Sequence, residues 1–310
     1  MSTLSSTGAG PSSGTGPPAA LDLSQRSRPG ESAIRVVLML SAMLSVMVTV
    51  GIILALIQPV VDFFGEVAVS DFFATEGQFA VLPLVAGTAM TTVIALVVAV
   101  PLGLGAAMYL SEYASQRSRK VLKPTVELLA GVPSVVYGFF ALSFVTPTLL
   151  QDILGLKVGF TNALAAGLVL GVMIIPTVAS LSEDALSAVP QAMRQGSLAM
   201  GANRMQTTLR VVLPAALSGV AAAIVLGMSR AVGETMIVAL AAGAQKNLSF
   251  DPREGMQTMT GFIATTAGGE NAVGSTSYNT LFAVGLLLFV ITLVINIVSI
   301  TLVRRFRQEY

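Results

Sequence analysis

Residues 211–243 form an apolar run broken by only two charges, Arg230 and Glu234. An ionisable group at bilayer depth costs about 2.5–3.5 kcal/mol on insertion scales, so such groups are rare and mark substrate or ion paths by default. Four residues apart on a helix, the two share a face and can pair. Arg before Glu is the less favourable order for a helix, so local helix stability is a poor reason for the pair. Two readings stand side by side. Either the residues belong to a path, or they form an internal salt bridge, or an outward-snorkelling arginine, that eases insertion. Arg230 lies 16 residues past Pro214, about 24 Å along a straight helix, which carries it beyond the bilayer midplane.

A second constellation occupies residues 183–213, where polar and apolar residues mix over a long stretch. Ala192, Gly196, Ala199 and Met200 recur at helical spacing, Gly201 interrupts them, and a second short helix is expected from Asn203 into Val211-Val212-Leu213-Pro214. Pattern alone allows an amphipathic helix at the membrane surface or a docking helix for a partner. Other chemistries are closed to this chain. It has no Cys and no His, which removes disulfide frameworks, the usual zinc sites, thiol nucleophiles and imidazole acid–base catalysis. No G-x-x-x-x-G-K-[ST] run occurs, so the chain has no P-loop of its own to cradle ATP and no cofactor is expected.

The elements that must position these residues are membrane helices. Only 11% of the 310 residues are charged and 54% are hydrophobic, too few charges to cover a water-soluble globule. Residues 36–61, 77–111, 128–151, 158–182 and 271–303 carry no charge at all. Each exceeds the ~20 residues a helix needs to cross the hydrocarbon layer. With the run holding Arg230, they predict an all-α bundle of six spans, near 36–58, 82–110, 126–150, 162–182, 214–242 and 280–303. Pro101, Pro133 and Pro176 fall inside these spans beside glycines, as in helices packed within a bundle. Gly167 and Gly171 have the spacing for close helix contact.

Charge placement predicts orientation. With the N-terminus inside, 13 Lys and Arg residues fall in inner segments, against Lys157, Lys246 and Arg253 outside. Both termini are therefore expected in the cytoplasm. Residues 1–33 are expected to be a disordered cytoplasmic tail, because their Ser, Gly, Thr and Pro leave little to bury. Residues 34–310 form the transmembrane domain, and the outer loop 244–279 is expected to carry a short element near 256–264. A net charge of +1 gives no general attraction for nucleic acid.

The 183–213 segment resembles the loop of ABC importer permeases, E-A-A-x3-G-x9-I-x-L-P. Here the pattern reads Gln195-Gly196-Ser197, three residues, Gly201, nine residues, then Val211-Val212-Leu213-Pro214. The spacing holds while the first three letters and Val211 depart from it. The run from Leu129 to Phe140, Ser182-Glu183-Asp184-Ala185-Leu186, and the stretch from Gly227 to Met236 are similar to phosphate-specific permeases of the PstC type. The resemblance covers residues 34 to 307 and implies a type I (MetI-like) permease bundle in a bacterial inner membrane. It implies that Gln195, Gly196, Ser197, Gly201, Leu213 and Pro214 form the ATPase-coupling surface, and that Arg230 and Glu234 line the phosphate path. A guanidinium suits that role through bidentate bonds to phosphate oxygens. Thr88, Thr91, Thr92, Ser134, Tyr137 and Thr177 are candidate hydroxyl donors, although Ser and Thr in helices commonly bond their own carbonyls. The implied partners are an A-type permease, two copies of an ATPase that uses the ATP, and an extracytoplasmic phosphate-binding protein. A permease for molybdate or sulfate, an ion-coupled carrier and a non-transporting scaffold remain as alternatives.

Overall fold

A computed structural model describes residues 29–305, and every element in it is helical. Residues 1–28 of the expected tail, and Arg307, lie outside the described residues. The contacts divide the chain at Ile53/Leu54. The first unit holds the start of α1 (Pro29–Glu66), whose apolar side chains, such as Leu38 and Met47, are exposed. A helix of this composition has nothing to gain from water and suits lipid.

The second unit begins at Leu54 and holds the remainder of α1, then α2 (Val69–Phe72) and α3 (Leu82–Met108). α4 (Gln116–Ala130) and α5 (Ser134–Phe140) follow, α5 running on as a wider π-type helix through Ile153. α6 (Ala163–Ser187) is the central element. It lies against α3 because two glycines permit it: a Cβ on Gly167 would come within 2.6 Å of the Ile94 side chain, and one on Gly171 within 2.9 Å of the Ala95 carbonyl. Around this contact Ala95, Ala99, Leu170, Ile174 and Val178 are fully buried. The Gly167–Gly171 spacing thus serves a close helix approach in the core.

α7 (Gln191–Ala199), α8 (Arg204–Thr207), α9 (Leu213–Ala215) and α10 (Leu217–Val232) follow. α11 (Met236–Ala241), α12 (Met259–Ala267) and α13 (Thr276–Arg305) complete the chain. Among the described residues five helices are long and apolar enough to cross a membrane. A sixth span arises if Arg204–Ala215 and Leu217–Val232, bent by 72°, count as one.

Two expected spans differ. The third was expected at 126–150, but α4 ends at Ala130 and the spanning helix starts at Ser134. Pro133 is therefore the residue before the helix rather than one inside it; lacking an N–H, it suits a helix start better than an interior. α4 carries Arg117, Arg119, Lys120 and Lys123 and buries none of its residues, as a helix on the surface of the bundle would. The fifth, expected as one helix over 214–242, is broken between Val232 and Met236, where Gly233, Glu234 and Thr235 connect α10 to α11. Pro101 and Pro176 do lie inside α3 and α6. The short element expected in 244–279 is α12, three residues further on than expected. α12 is anchored through Met259 to a cluster of Phe63, Phe72, Val81, Leu84, Ala283 and Val284.

Candidate functional site: a charged helix break and a docking surface

Arg230 lies in the last turn of α10, where a cation is favoured by the carbonyl end of the helix. Its Nη1 donates to Thr177 Oγ1 of α6 at 3.3 Å, and the residue is exposed on the chain. Gly233 closes α10, its N–H donating to the Ser229 carbonyl at 3.2 Å. Glu234 then turns to α11. Its Oε1 accepts from the backbone N–H of Met236 at 3.1 Å and of Ile237 at 3.5 Å, and its carbonyl accepts from Thr260 Oγ1 at 2.6 Å.

The Arg230–Glu234 salt bridge, one of the two readings of the sequence, does not form: no contact between them falls within 4.0 Å among the described ion pairs. The helix break is the reason. A four-residue offset joins side chains only along a continuous helix, and here Glu234 is already outside α10 and satisfied by α11 backbone donors. The guanidinium keeps its charge unneutralised on an exposed face.

Of the expected hydroxyls, Thr177 alone reaches the arginine. Thr88 donates to the Leu84 carbonyl at 2.9 Å and accepts from Met259 N, which ties α3 to α12. Thr91 bonds the Gly87 carbonyl and Tyr137 the Leu129 carbonyl, each at 2.9 Å. Thr92 Oγ1 is buried without a partner, and Ser134 is half-buried at the start of α5.

The second constellation forms a compact helical turn. Gln195, Gly196 and Ser197 lie on α7, Gly201 in the turn after it, and Leu213 and Pro214 open α9. Gly201 has φ +86°, with open space where a Cβ would stand. Glycine is needed there for the backbone rather than for clearance. Asn203 and Gln206 form a reciprocal cap on α8, and Ser197 Oγ meets Thr207 Oγ1 at 3.0 Å, which clamps α7 to α8. The tips are apolar and uncovered: Met200 is 89% exposed and Met205 63%. Such a pair of flexible thioethers suits a partner's surface groove.

Ionic contacts root this turn in the bundle, and the sequence reading missed them. Arg194, nearly buried, pairs with Glu112 at 3.0 Å and donates to the Leu186 carbonyl at 2.7 Å and to that of Val189. Glu183, fully buried, accepts from Lys123 Nζ at 2.6 Å and from Arg119. The Glu183 carboxylate, chiefly by accepting that hydrogen bond, raises the Lys123 ammonium above the usual lysine value. The available signal was that Glu183 directly follows a charge-free run. Among the described residues no cluster of His, Cys, Asp or Glu could hold a metal.

Comparisons with known proteins bear on the family and the fold. The family model described as binding-protein-dependent transport system inner membrane component matches residues 99–309. The probable ABC transporter permease protein YqgH of Bacillus subtilis is 39% identical over 219 residues, 70% of each chain. The phosphate transport system permease protein PstC 1 of Mycobacterium tuberculosis is 36% identical over 265 residues, 78% of each chain. Among solved structures, a bacterial ABC transporter involved in import of the polysaccharide alginate has a chain with TM-score 0.64 at 16% identity, covering 90% of this chain and 99% of its own. A chain of the inward-facing MetNI methionine ABC transporter gives TM-score 0.54 at 22% identity, covering 74% and 94%. At these identities the structural likeness bears on the fold, which is that of these importer permeases.

Proposed function

The chain belongs to the family of binding-protein-dependent transport system inner membrane components, and from that premise we propose that it forms half of the path of an ATP-driven importer of inorganic phosphate. Its PstC-named relatives support phosphate as cargo. The observation that carries the reading is Arg230: a permanently charged guanidinium at span depth, hydrogen-bonded to Thr177 and not neutralised by Glu234. Phosphate oxygens match the planar fork of an arginine. With a single hydroxyl beside the guanidinium, the site holds anion weakly enough for release.

The Arg230 face is exposed because a second permease of the A type completes the path there. Two copies of an ATPase bind in the cytoplasm, one on the turn of Gln195, Gly196, Ser197 and Gly201, with Leu213 and Pro214 fixing the return into the membrane. Their closure on ATP rocks the helices between outward- and inward-open states. A phosphate-binding protein delivers cargo to the outer loops. Both termini are cytoplasmic. Arg230, Glu234 and the six coupling residues carry these roles without any bound cofactor.

Reconstitution of this chain with its permease and ATPase partners in proteoliposomes tests the proposal. Phosphate uptake should require ATP and the binding protein, and excess sulfate or molybdate should leave it unchanged. Uptake driven by an ion gradient without the ATPase, or blocked by those competing oxyanions, would overturn it.

A further inference from the structure

A second cation is held where no pairing with a carboxylate explains it. Lys246 follows α11 and is half-buried; its Nζ lies 4.6 Å from the centroid of the Phe262 ring and donates to the Gln78 carbonyl. Among the described residues it forms no ion pair within 4.0 Å. Burial lowers its pKa from the ordinary lysine value, the signature of a charge partly stripped of water without a compensating anion.

This ammonium borders a cavity of about 330 Å³ whose wall also includes Thr266, Asn271, Ser277 and Thr280. The wall supplies donors in addition to the charge. An ammonium has three N–H groups, and one is used by Gln78, which leaves two. Ser277 accepts from Gln78 Nε2 at 3.3 Å, so its own proton is free for another acceptor. Ser277 and Thr280 sit in the first turns of α13, a 30-residue helix whose N-terminal end favours negative charge. At that helix end Thr276 Oγ1 donates to the Glu66 carboxylate of α1.

We infer that this cavity is an anion-binding site for free inorganic phosphate, lying on the outer side of the bundle ahead of Arg230. The inference rests on the outward placement and the oxyanion cargo proposed above. The two sites share a structural member. α12 presents Phe262 and Thr266 to the cavity while its Thr260 holds the Glu234 carbonyl in the helix break. An anion drawn in at Lys246 therefore bears on the element that braces the Arg230 region, and the cavity serves as a receiving stage between the delivery protein and the inner arginine.

Equilibrium dialysis with radiolabelled phosphate decides the point, using the assembled transporter in maltoside detergent without binding protein or nucleotide. Arg230→Gln removes the inner guanidinium, and that complex should still bind phosphate. Adding Lys246→Gln should weaken binding by about ten- to a hundredfold, the scale of one lost charge-assisted hydrogen bond. Lys246→Arg keeps the charge and should bind within a few-fold of its parent. Ser277→Ala leaves Lys246 and Phe262 untouched and should weaken binding by about three- to tenfold, which keeps the test valid if Lys246→Gln fails to assemble. The site is wrong if Arg230→Gln alone abolishes binding, or if the Lys246 and Ser277 variants bind like their parent. It is also wrong if added phosphatidylglycerol, and not phosphate, occupies the cavity. If uptake assays show sulfate as the cargo, the phosphate reading fails by itself, and Lys246-dependent sulfate binding would still support an anion site here.

Discussion

Arg194 and Glu112, 82 residues apart in sequence, meet as an ion pair at 3.0 Å with about a tenth or less of either side chain exposed. The same guanidinium satisfies the carbonyls of Leu186 and Val189 at the end of α6. One side chain thus joins the π-helical turn Tyr109–Tyr113 that follows α3, the end of α6 and α7. Motion imposed on α7 has a rigid route into the two central helices.

Removing one partner should be costly. Arg194→Ala leaves a buried carboxylate with only the Ser111 hydroxyl as a partner and strips the Leu186 and Val189 carbonyls of their guanidinium donor, and breaking such a pair destabilises by about 3–5 kcal/mol. We expect a lower melting temperature for the purified subunit and a loss of ATPase retention on co-purification. Arg194→Met with Glu112→Gln should recover part of the melting temperature, since no lone charge stays buried. Equal melting of wild type and Arg194→Ala would refute the anchoring role.

Gly201 offers a second, separable test. Its φ of +86° suits glycine, tolerates Asn and penalises branched residues. With no atom within 4 Å of a built Cβ, side-chain size in the lone subunit is harmless. Gly201→Asn should therefore fold nearly normally, Gly201→Val should destabilise by about 1–2 kcal/mol, and Gly201→Asp should insert normally yet lose ATPase association and uptake, because a side chain there blocks the close approach of the ATPase. Normal uptake by Gly201→Asp would remove the glycine from the coupling surface.

Much of this architecture is legible in composition, because a charge-free run longer than a bilayer has few alternatives to a spanning helix. The α6 span, and the packing role of Gly167 and Gly171, follow from that logic. Helix ends are less legible. Pro133 sits in a charge-free stretch and Gly233 in an apolar one broken only by Arg230 and Glu234, and apolarity does not reveal whether the chain bends there. The break at Gly233 also removes the salt-bridge alternative for Arg230 and Glu234, which assumed a continuous helix. Arg194 and Glu112 were invisible as partners because their contact is set by tertiary packing rather than local spacing.

The orientation argument yields a direct expectation. Thirteen basic residues on one side against three on the other should place a reporter fused after residue 70 outside and one after residue 118 in the cytoplasm. Alkaline phosphatase activity at the first position and its absence at the second would agree. The reverse pattern at either position overturns the six-span topology.

Arg230 can be separated from a purely structural charge by comparing three variants. Arg230→Lys keeps one positive charge but loses the planar fork, so bidentate phosphate contact should suffer. Thr177 receives only a single hydrogen bond at 3.3 Å from Arg230, so a lysine should leave α6 and α10 packed and the complex assembled. We expect near-normal assembly and phosphate uptake reduced by about ten- to a hundredfold. Arg230→Gln with Glu234→Gln removes both charges and should insert at least as well, because neither then has to be carried into the bilayer. Gln at 234 keeps a side-chain carbonyl able to accept from the Met236 and Ile237 N–H groups, so the cap on α11 survives and any loss of uptake traces to charge. An assembled double variant that fails to transport supports the path assignment. One that transports at the wild-type rate makes the two residues dispensable to the path, since no charge is then left at either position to hold an anion.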